Sequence, residues 1–424
     1  MQLRFLNLII FLLLSLGSAG QVLDHHNFSE LSAMEKGSYS TGALYYYTLG
    51  ANTINNKFLS SVYRGDYIDN SLKDSNPVAG NNYLGSQQNI ALSFSCLPDS
   101  IFGLTNTGFR AGVYDHTYVN AQFSEDLYDL AFYGNSMFAG DTANFSGLSC
   151  SYLRYQELQL GIFGQVVNSS GKTTFYGGIS LLKGQKFDYI YITNGKLYTE
   201  ETGACLDLVL AGGYFTSDTA KNDITAFNGI GGCLNFGVAY DNTVSDFGMN
   251  ASLTHLGTLR WNENTSIIRL DTSLHYEGIV LNDLAEFDSV EGKGFVQDTL
   301  EQAIEAMTDN KRFVGTLPQR ISLAFSKRFF DRKLTGTLGV VALFNSNCRM
   351  PVFYMETKWL FYRDNMAFLQ FSYGGYSNFQ VGIGIKAEFF KKLEVFAGTH
   401  NILGVIIPAR SYGQSIFAGL NFRF

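Results

Sequence analysis

Charge is scarce in this chain. Only 16% of its 424 residues are Asp, Glu, Lys or Arg, against about 25% in ordinary soluble domains. The 30 basic and 37 acidic side chains leave a net charge of −7, so no basic field exists for a nucleic-acid backbone, and nucleic acid is excluded as a partner. Proline is rarer still, at five residues. Pro77, Pro98, Pro318, Pro351 and Pro408 all fall between the periodic segments described below, where a missing ladder N–H does no harm. Proline-rich and collagen-like chains are thereby excluded, although glycine numbers 44. The five cysteines, Cys96, Cys150, Cys205, Cys233 and Cys348, are odd in number and lack Cys-x-x-Cys spacing. They read as small apolar strand residues rather than a zinc site or a disulfide framework. No run of 18 apolar residues follows Gln21, so no membrane-spanning helix is expected.

What is present begins with Met1–Gly20, where Arg4, an apolar core from Phe5 to Leu16 and the small residues Ser18, Ala19 and Gly20 form the pattern of a cleaved secretory signal peptide. Aromatics then make up 15% of the chain, and the dominant period is two. In 230–241, Ile230, Leu234, Phe236, Val238 and Tyr240 share one parity, while Cys233, Asn235 and Asp241 share the other. Successive strand side chains point to opposite faces, so one face is apolar and the other small or polar. The same alternation recurs in 268–277, 353–361 and 380–389. Many runs reach 9 to 13 residues, matching the roughly 9–11 that a tilted strand needs to cross a bilayer.

Connections alternate between short and long. Phe330–Lys333, Tyr362–Asn365, Phe390–Lys392 and Asn168–Gly171 read as short periplasmic turns, whereas 282–318 and 401–411 read as extracellular loops. The chain ends on Ile416, Ala418, Leu420, Phe422 and Phe424, a strictly alternating apolar face closing on an aromatic. The fold expected is all-β: a transmembrane antiparallel β-barrel of about 14 strands, with 12 to 16 admissible. The fourteen runs are 107–122, 155–167, 172–192, 203–210, 229–241, 245–257, 265–281, 319–330, 333–345, 352–362, 366–376, 379–390, 393–400 and 412–424. Residues 1–20 are then the signal peptide, 21–86 extra strands or a segment tucked into the lumen, and 87–424 the barrel, with its long extracellular loop at 282–318. Asn194-Gly195 reads as a two-residue hairpin turn in an extracellular extension. Phe329-Phe330, Phe361-Tyr362 and Phe389-Phe390 read as interfacial girdle pairs.

A closed sheet suits such a sequence because lipid offers no partner to a backbone N–H or C=O, and closure pairs them all. The lumen-facing candidates are Arg110, Glu157, Asp207, Arg269, Asp271, His275, Glu277, Glu356, Lys358, Lys386 and Glu388. Their mixed signs at i and i+2 point to mutual pairing that braces the wall rather than to a single-sign selectivity ring. Of the six histidines, only the adjacent His25 and His26 show metal-ligand spacing. Ser273 and His275 share a face, but scattered Ser and His are what a polar parity produces, so no catalytic residue, cofactor or metal is assigned. Phe295–Met307 has helical character, with Leu300, Ile304 and Met307 on one stripe.

Phe109-Arg110, Val119–Leu127, Phe132–Asn135, Phe145–Leu148 and Gly178–Gly184 follow one another in an order that resembles an uncharacterised Bacteroidota outer-membrane family, known only as a domain of unknown function. The Asn-Pro-Ala element often found early in such proteins is missing here. By architecture that family is similar to fatty-acid-channel barrels and to barrels associated with type IX secretion, and the resemblance supplies no catalytic residues. It implies the outer membrane of a Gram-negative bacterium.

The function expected is passage or binding of a small molecule, hydrophobic ones included, by a non-enzymatic barrel. The alternative is a structural or secretion-accessory barrel acting through protein partners. Expected partners are outer-membrane lipid, the barrel assembly machinery through the strand ending at Phe424, and a small hydrophobic ligand.

Overall fold

The computed structural model describes residues 29–101, 103–218, 223–277, 308–344 and 351–424. The signal-peptide segment, His25-His26, the helical stretch Phe295–Met307 and Cys348 lie outside the described residues. Among those described, fourteen strands form one closed antiparallel wall: β1 (Ser38–Ala51), β2 (Asn81–Leu97), β3 (Thr107–Ser124), β4 (Ser149–Val167), β5 (Gly171–Thr199), β6 (Gly229–Asn242), β7 (Phe247–Trp261), β8 (Gln319–Phe329), β9 (Leu334–Phe344), β10 (Val352–Tyr362), β11 (Asn365–Tyr373), β12 (Phe379–Phe389), β13 (Leu393–Thr399) and β14 (Gly413–Arg423). Each pairs with its neighbour in sequence, and β1 pairs with both β2 and β14, so the sheet has no free edge.

The outward parity is apolar along the wall. Ile230, Leu234 and Phe236 on β6 are exposed, while Cys233 and Asn235 between them are buried; Phe353, Met355, Trp359 and Phe361 do the same on β10. Leu158, Leu160 and Ile162 on β4, and Ile383 and Ile385 on β12, extend the belt. A continuous apolar surface of this extent is far beyond the few hundred Å² that a water-soluble monomer leaves uncovered. Lipid is the solvent it fits, and the fold is a transmembrane β-barrel.

At one end the strands are joined by short turns, Phe330–Lys333, Arg363-Asp364 and Phe390–Lys392, several of whose residues take positive φ. The aromatic pairs Phe329-Phe330, Phe361-Tyr362 and Phe389-Phe390 ring this end and are exposed, as expected of side chains at a lipid–water boundary. Among the described residues, the opposite end carries α1 (Asn56–Arg64), α2 (Asn70–Asp74) and α3 (Glu125–Phe132), together with a single helical turn at Leu403–Ile406. Asn55, Asp69 and Ser124 cap α1, α2 and α3 by accepting the N–H groups of Phe58, Leu72 and Leu127. Phe58, Leu59, Leu72 and Tyr128 bury themselves between these helices and the strand ends.

Two of the runs expected in the wall are not there. Strands Leu206–Thr216 and Ser266–Tyr276 pair with each other, and the former pairs with the upper half of β5 from Asp188 to Thr199, building an extension beyond the barrel. Their alternation is satisfied by the packing of Leu208, Leu210, Tyr214 and Leu270 with Ile190 and Ile192 inside that extension. β1 and β2 occupy the wall positions instead. Asn194-Gly195 makes no turn either: β5 runs unbroken for 29 residues, with a bulge between Ile192 and Asn194. Glycine is needed there because a Cβ on Gly195 would stand 2.4 Å from the Phe145 ring. Part of the expected loop 282–318 is ordered as short strands, Thr308–Asn310 and Phe313–Thr316, the second of which pairs with β7.

Candidate functional site

The lumen is lined by the inward parity of the wall, and in its half formed by β2 to β7 that parity is aromatic and polar at once. On β3 the alternation Tyr114, His116, Tyr118 stacks three rings, with centroids 5.8 and 6.2 Å apart. On β4 Tyr155 and Glu157 follow the same parity, and the Tyr155 ring lies 4.8 Å from that of His116. On β7 the pairing with β6 shifts, so that Thr254 and His255 together oppose Asn235. His255 has φ +58° at this bulge, a conformation uncommon for a side-chain-bearing residue. Asn235 holds it there by accepting the His255 N–H through Oδ1 at 2.9 Å.

The bulge turns His255 inward onto a residue three strands away. Glu157 Oε2 stands 3.0 Å from His116 Nε2 and 3.3 Å from His255 Nε2. Its other oxygen accepts the Ser180 hydroxyl at 2.5 Å, and Asn235 Nδ2 donates to Ser180 at 3.0 Å. His116 Nδ1 lies 2.9 Å from Asn89 Oδ1. His116, Glu157 and His255 are 0%, 2% and 4% exposed. A carboxylate so deeply withdrawn from water is held only where cationic or hydrogen-bond donors surround it, and here six strands contribute to one polar knot.

At the short-turn end the mouth is filled by the chain's own residues 29–37. Leu31 and Met34 pack on Leu97, Phe163 and Tyr176. Gln165 donates through Nε2 to the Leu31 carbonyl at 2.7 Å, and Lys172 donates through Nζ to the Ser32 carbonyl at 2.7 Å. Beside this plug is a cavity of about 660 Å³ whose walls include Glu30, Leu44, Arg110, Tyr114, Phe396 and Leu420. Across the lumen, Tyr46 and Phe417 are fully buried, with Phe368 and Phe396 against them.

The structure distributes the sequence-derived lumen candidates over two places. Arg110 and Glu157 are buried on the inward parity; Glu356, Lys358, Lys386 and Glu388 share it on β10 and β12. Glu356 pairs with Lys358 at 3.0 Å, but Lys386 turns to Glu394 on β13 at 2.9 Å rather than to Glu388, and Arg423 joins the same carboxylate at 3.0 Å. Asp207, Arg269, Asp271, His275 and Glu277 do not face the lumen. They sit on the extension, where the alternating residues Arg269, Asp271 and His275 are exposed to solvent. The Asp207 carboxylate hydrogen-bonds His275 there, with Glu277 3.4 Å from its other nitrogen, and this raises the His275 pKa above the ordinary imidazole value. Sequence reasoning passed over His116, His255, Asn89, Ser180 and Asn235. Parity alone would have placed His116 with Glu157, but the convergence of His255 depends on a bulge that no local pattern announces.

The profile of DUF5723, a family of unknown function, matches residues 35–400. The chain belongs to that family. No curated protein matches this DUF5723 member. Among solved structures, the TodX deltaS2S3 mutant monoaromatic hydrocarbon channel is similar with a TM-score of 0.48 at 11% identity, over 94% of this chain and 92% of that one. The Pseudomonas putida toluene transporter TodX gives 0.45 at 12% identity over 96% and 95%. The Ralstonia pickettii toluene transporter TbuX gives 0.43 at 12% identity over 97% and 95%.

Proposed function

We propose that this protein is a non-enzymatic barrel of a Gram-negative outer membrane that binds a small apolar molecule in its lumen and passes it when the N-terminal plug moves. The short turns then face the periplasm and the helix-capped end faces outward, with assembly beginning at the strand that ends on Phe424. The observation that carries the reading is the plugged cavity beside Leu31 and Met34, flanked by the buried apolar clusters of Phe163 and Tyr176 on one side and of Tyr46 and Phe417 on the other. Glu356, Lys386 and Glu394 are neutralised by neighbours, which leaves little to select an ion. The cavity wall mixes Leu31, Met34, Leu44, Phe396 and Leu420 with Glu30, Arg110 and Arg423, so an apolar ligand would be gripped by the former and oriented by the latter.

The experiment is refolding into liposomes followed by stopped-flow uptake of a small aromatic solute and of a charged sugar phosphate. Saturable uptake of the former alone is the expected outcome; failure to bind or pass any apolar solute overturns the reading. The extension built on β5 favours a second reading, a barrel acting through protein partners. Crosslinking in cells separates the two, since a stable complex at residues 206–216 is expected only of the second.

A further inference from the structure

We infer that His116, Glu157 and His255 form a binding site for one divalent transition-metal ion of the Zn²⁺ class, built into the lumen by the adjacent strands β3 and β4 together with β7, three strands further along the wall. The inference is independent of whether a solute passes. Two imidazoles and one carboxylate are a donor set that zinc takes readily. Ligands at about 2.0–2.1 Å from a tetrahedral ion stand about 3.3 Å from one another. Glu157 Oε2 is already 3.0 and 3.3 Å from the two Nε2 atoms, and all three donors lie within 4.8 Å of one another. Drawing the two imidazoles together around an ion completes the set.

The surroundings fit as well as the ligands. Asn89 Oδ1 can only accept, so its position 2.9 Å from His116 Nδ1 places a proton on Nδ1 and leaves Nε2 facing Glu157. A neutral ring in that tautomer faces a carboxylate oxygen lone pair to lone pair, an arrangement that needs a cation between them, either a proton or a metal. A histidine donating its far nitrogen to a carbonyl is the usual outer-shell arrangement at metal centres. Ser180 and Asn235 hold the second carboxylate oxygen, fixing Glu157 so that Oε2 faces the histidines. Cys233 Sγ lies 4.0 Å from Glu157 Oε1, the oxygen that does not face the histidines, and stands outside the ligand set. The rings of Tyr118 and Tyr155 close the site against water. Asn89 and Asn235 are positioning residues here.

The test uses the full mature chain without an affinity tag, refolded in detergent with Zn²⁺ or Co²⁺, desalted and challenged with a chelator. Folding is verified by heat-modifiable gel migration, and metal is measured by mass spectrometry. The expected result is about one chelator-resistant ion per folded barrel, with a cobalt absorption spectrum of nitrogen and oxygen ligands. Asn89→Ala is expected to weaken retention about 10- to 100-fold while leaving the ligands in place. His116→Asn with His255→Asn is expected to abolish it, although His25 and His26 remain. Folded wild-type protein that retains less than about a tenth of an ion per barrel overturns the inference, and so does retention unchanged in a folded double variant. Should the double variant fail to fold, the wild-type stoichiometry and the Asn89→Ala shift decide.

Discussion

Tyr39 and Phe424 exchange both of their backbone hydrogen bonds, at 2.9 and 3.0 Å, and stack their rings 5.7 Å apart at 8°. This pair extends by one step the eleven-residue β1–β14 seam that closes the cylinder. Deleting Phe424 removes two backbone bonds worth about 0.5–1.5 kcal/mol each and an aromatic pair worth about 0.5–1.5 kcal/mol. The urea midpoint of the heat-modifiable band is expected to fall accordingly; an unchanged midpoint would show that this pair adds nothing to the seam.

The plug is tested by charge. Leu31→Glu together with Met34→Glu places two carboxylates against the apolar Leu97, Phe163 and Tyr176, a desolvation that Lys172, already bonded to the Ser32 carbonyl, offsets only in part. Residues 29–37 are expected to leave the mouth, and single-channel conductance in a planar bilayer to rise. A folded variant with wild-type conductance would mean that the segment is not the barrier.

The opposite mouth depends on a close approach. Tyr376, in the connection between β11 and β12, lies over Gly85 so closely that a Cβ there would stand 2.2 Å from its ring. Gly85→Val is expected to displace that connection at a cost of about 1–3 kcal/mol, read as a lower thermal midpoint and faster proteolysis at 374–378. Equal midpoints and cleavage rates would contradict the packing.

Much of this architecture was legible in the sequence and some was not, for physical reasons. Lipid imposes a two-residue period along the membrane-crossing strands, so Ile230, Phe236, Trp359 and Ile385 announce the outward face on their own. The total of fourteen strands is right, but membership is not. Ser266–Tyr276 alternates because it packs on a neighbouring strand in the extension, and alternation does not say what the apolar face touches. Asn194-Gly195 has turn composition, yet Gly195 is there to admit Phe145. The knot at Glu157 is a tertiary fact. It joins residues 98 apart in the chain through a bulge at His255, and spacing arguments see only what is near in sequence.

The extension carries a pH response of definite sign. The His275 pKa is raised above its unfolded value by Asp207 and then Glu277, so the pair's contribution is fully present below the ordinary imidazole pKa near 6.5 and is lost as pH rises through the elevated folded value. Amide exchange at Asp207 and His275, corrected for intrinsic rates, is expected to be more protected at about pH 6 than at about pH 9, and His275→Asn to remove the difference. Protection that increases with pH would reverse the assignment.

The most direct measurement uses the two tryptophans of the chain. Trp359 is 56% exposed on the outward parity of β10, and Trp261 is 1% exposed on the inward parity of β7. In bilayers of brominated lipid, the fluorescence of Trp359 in a Trp261→Phe protein should be strongly quenched, and that of Trp261 in a Trp359→Phe protein should be nearly untouched. Equal quenching of the two, or none at Trp359, would contradict a lipid-facing closed barrel.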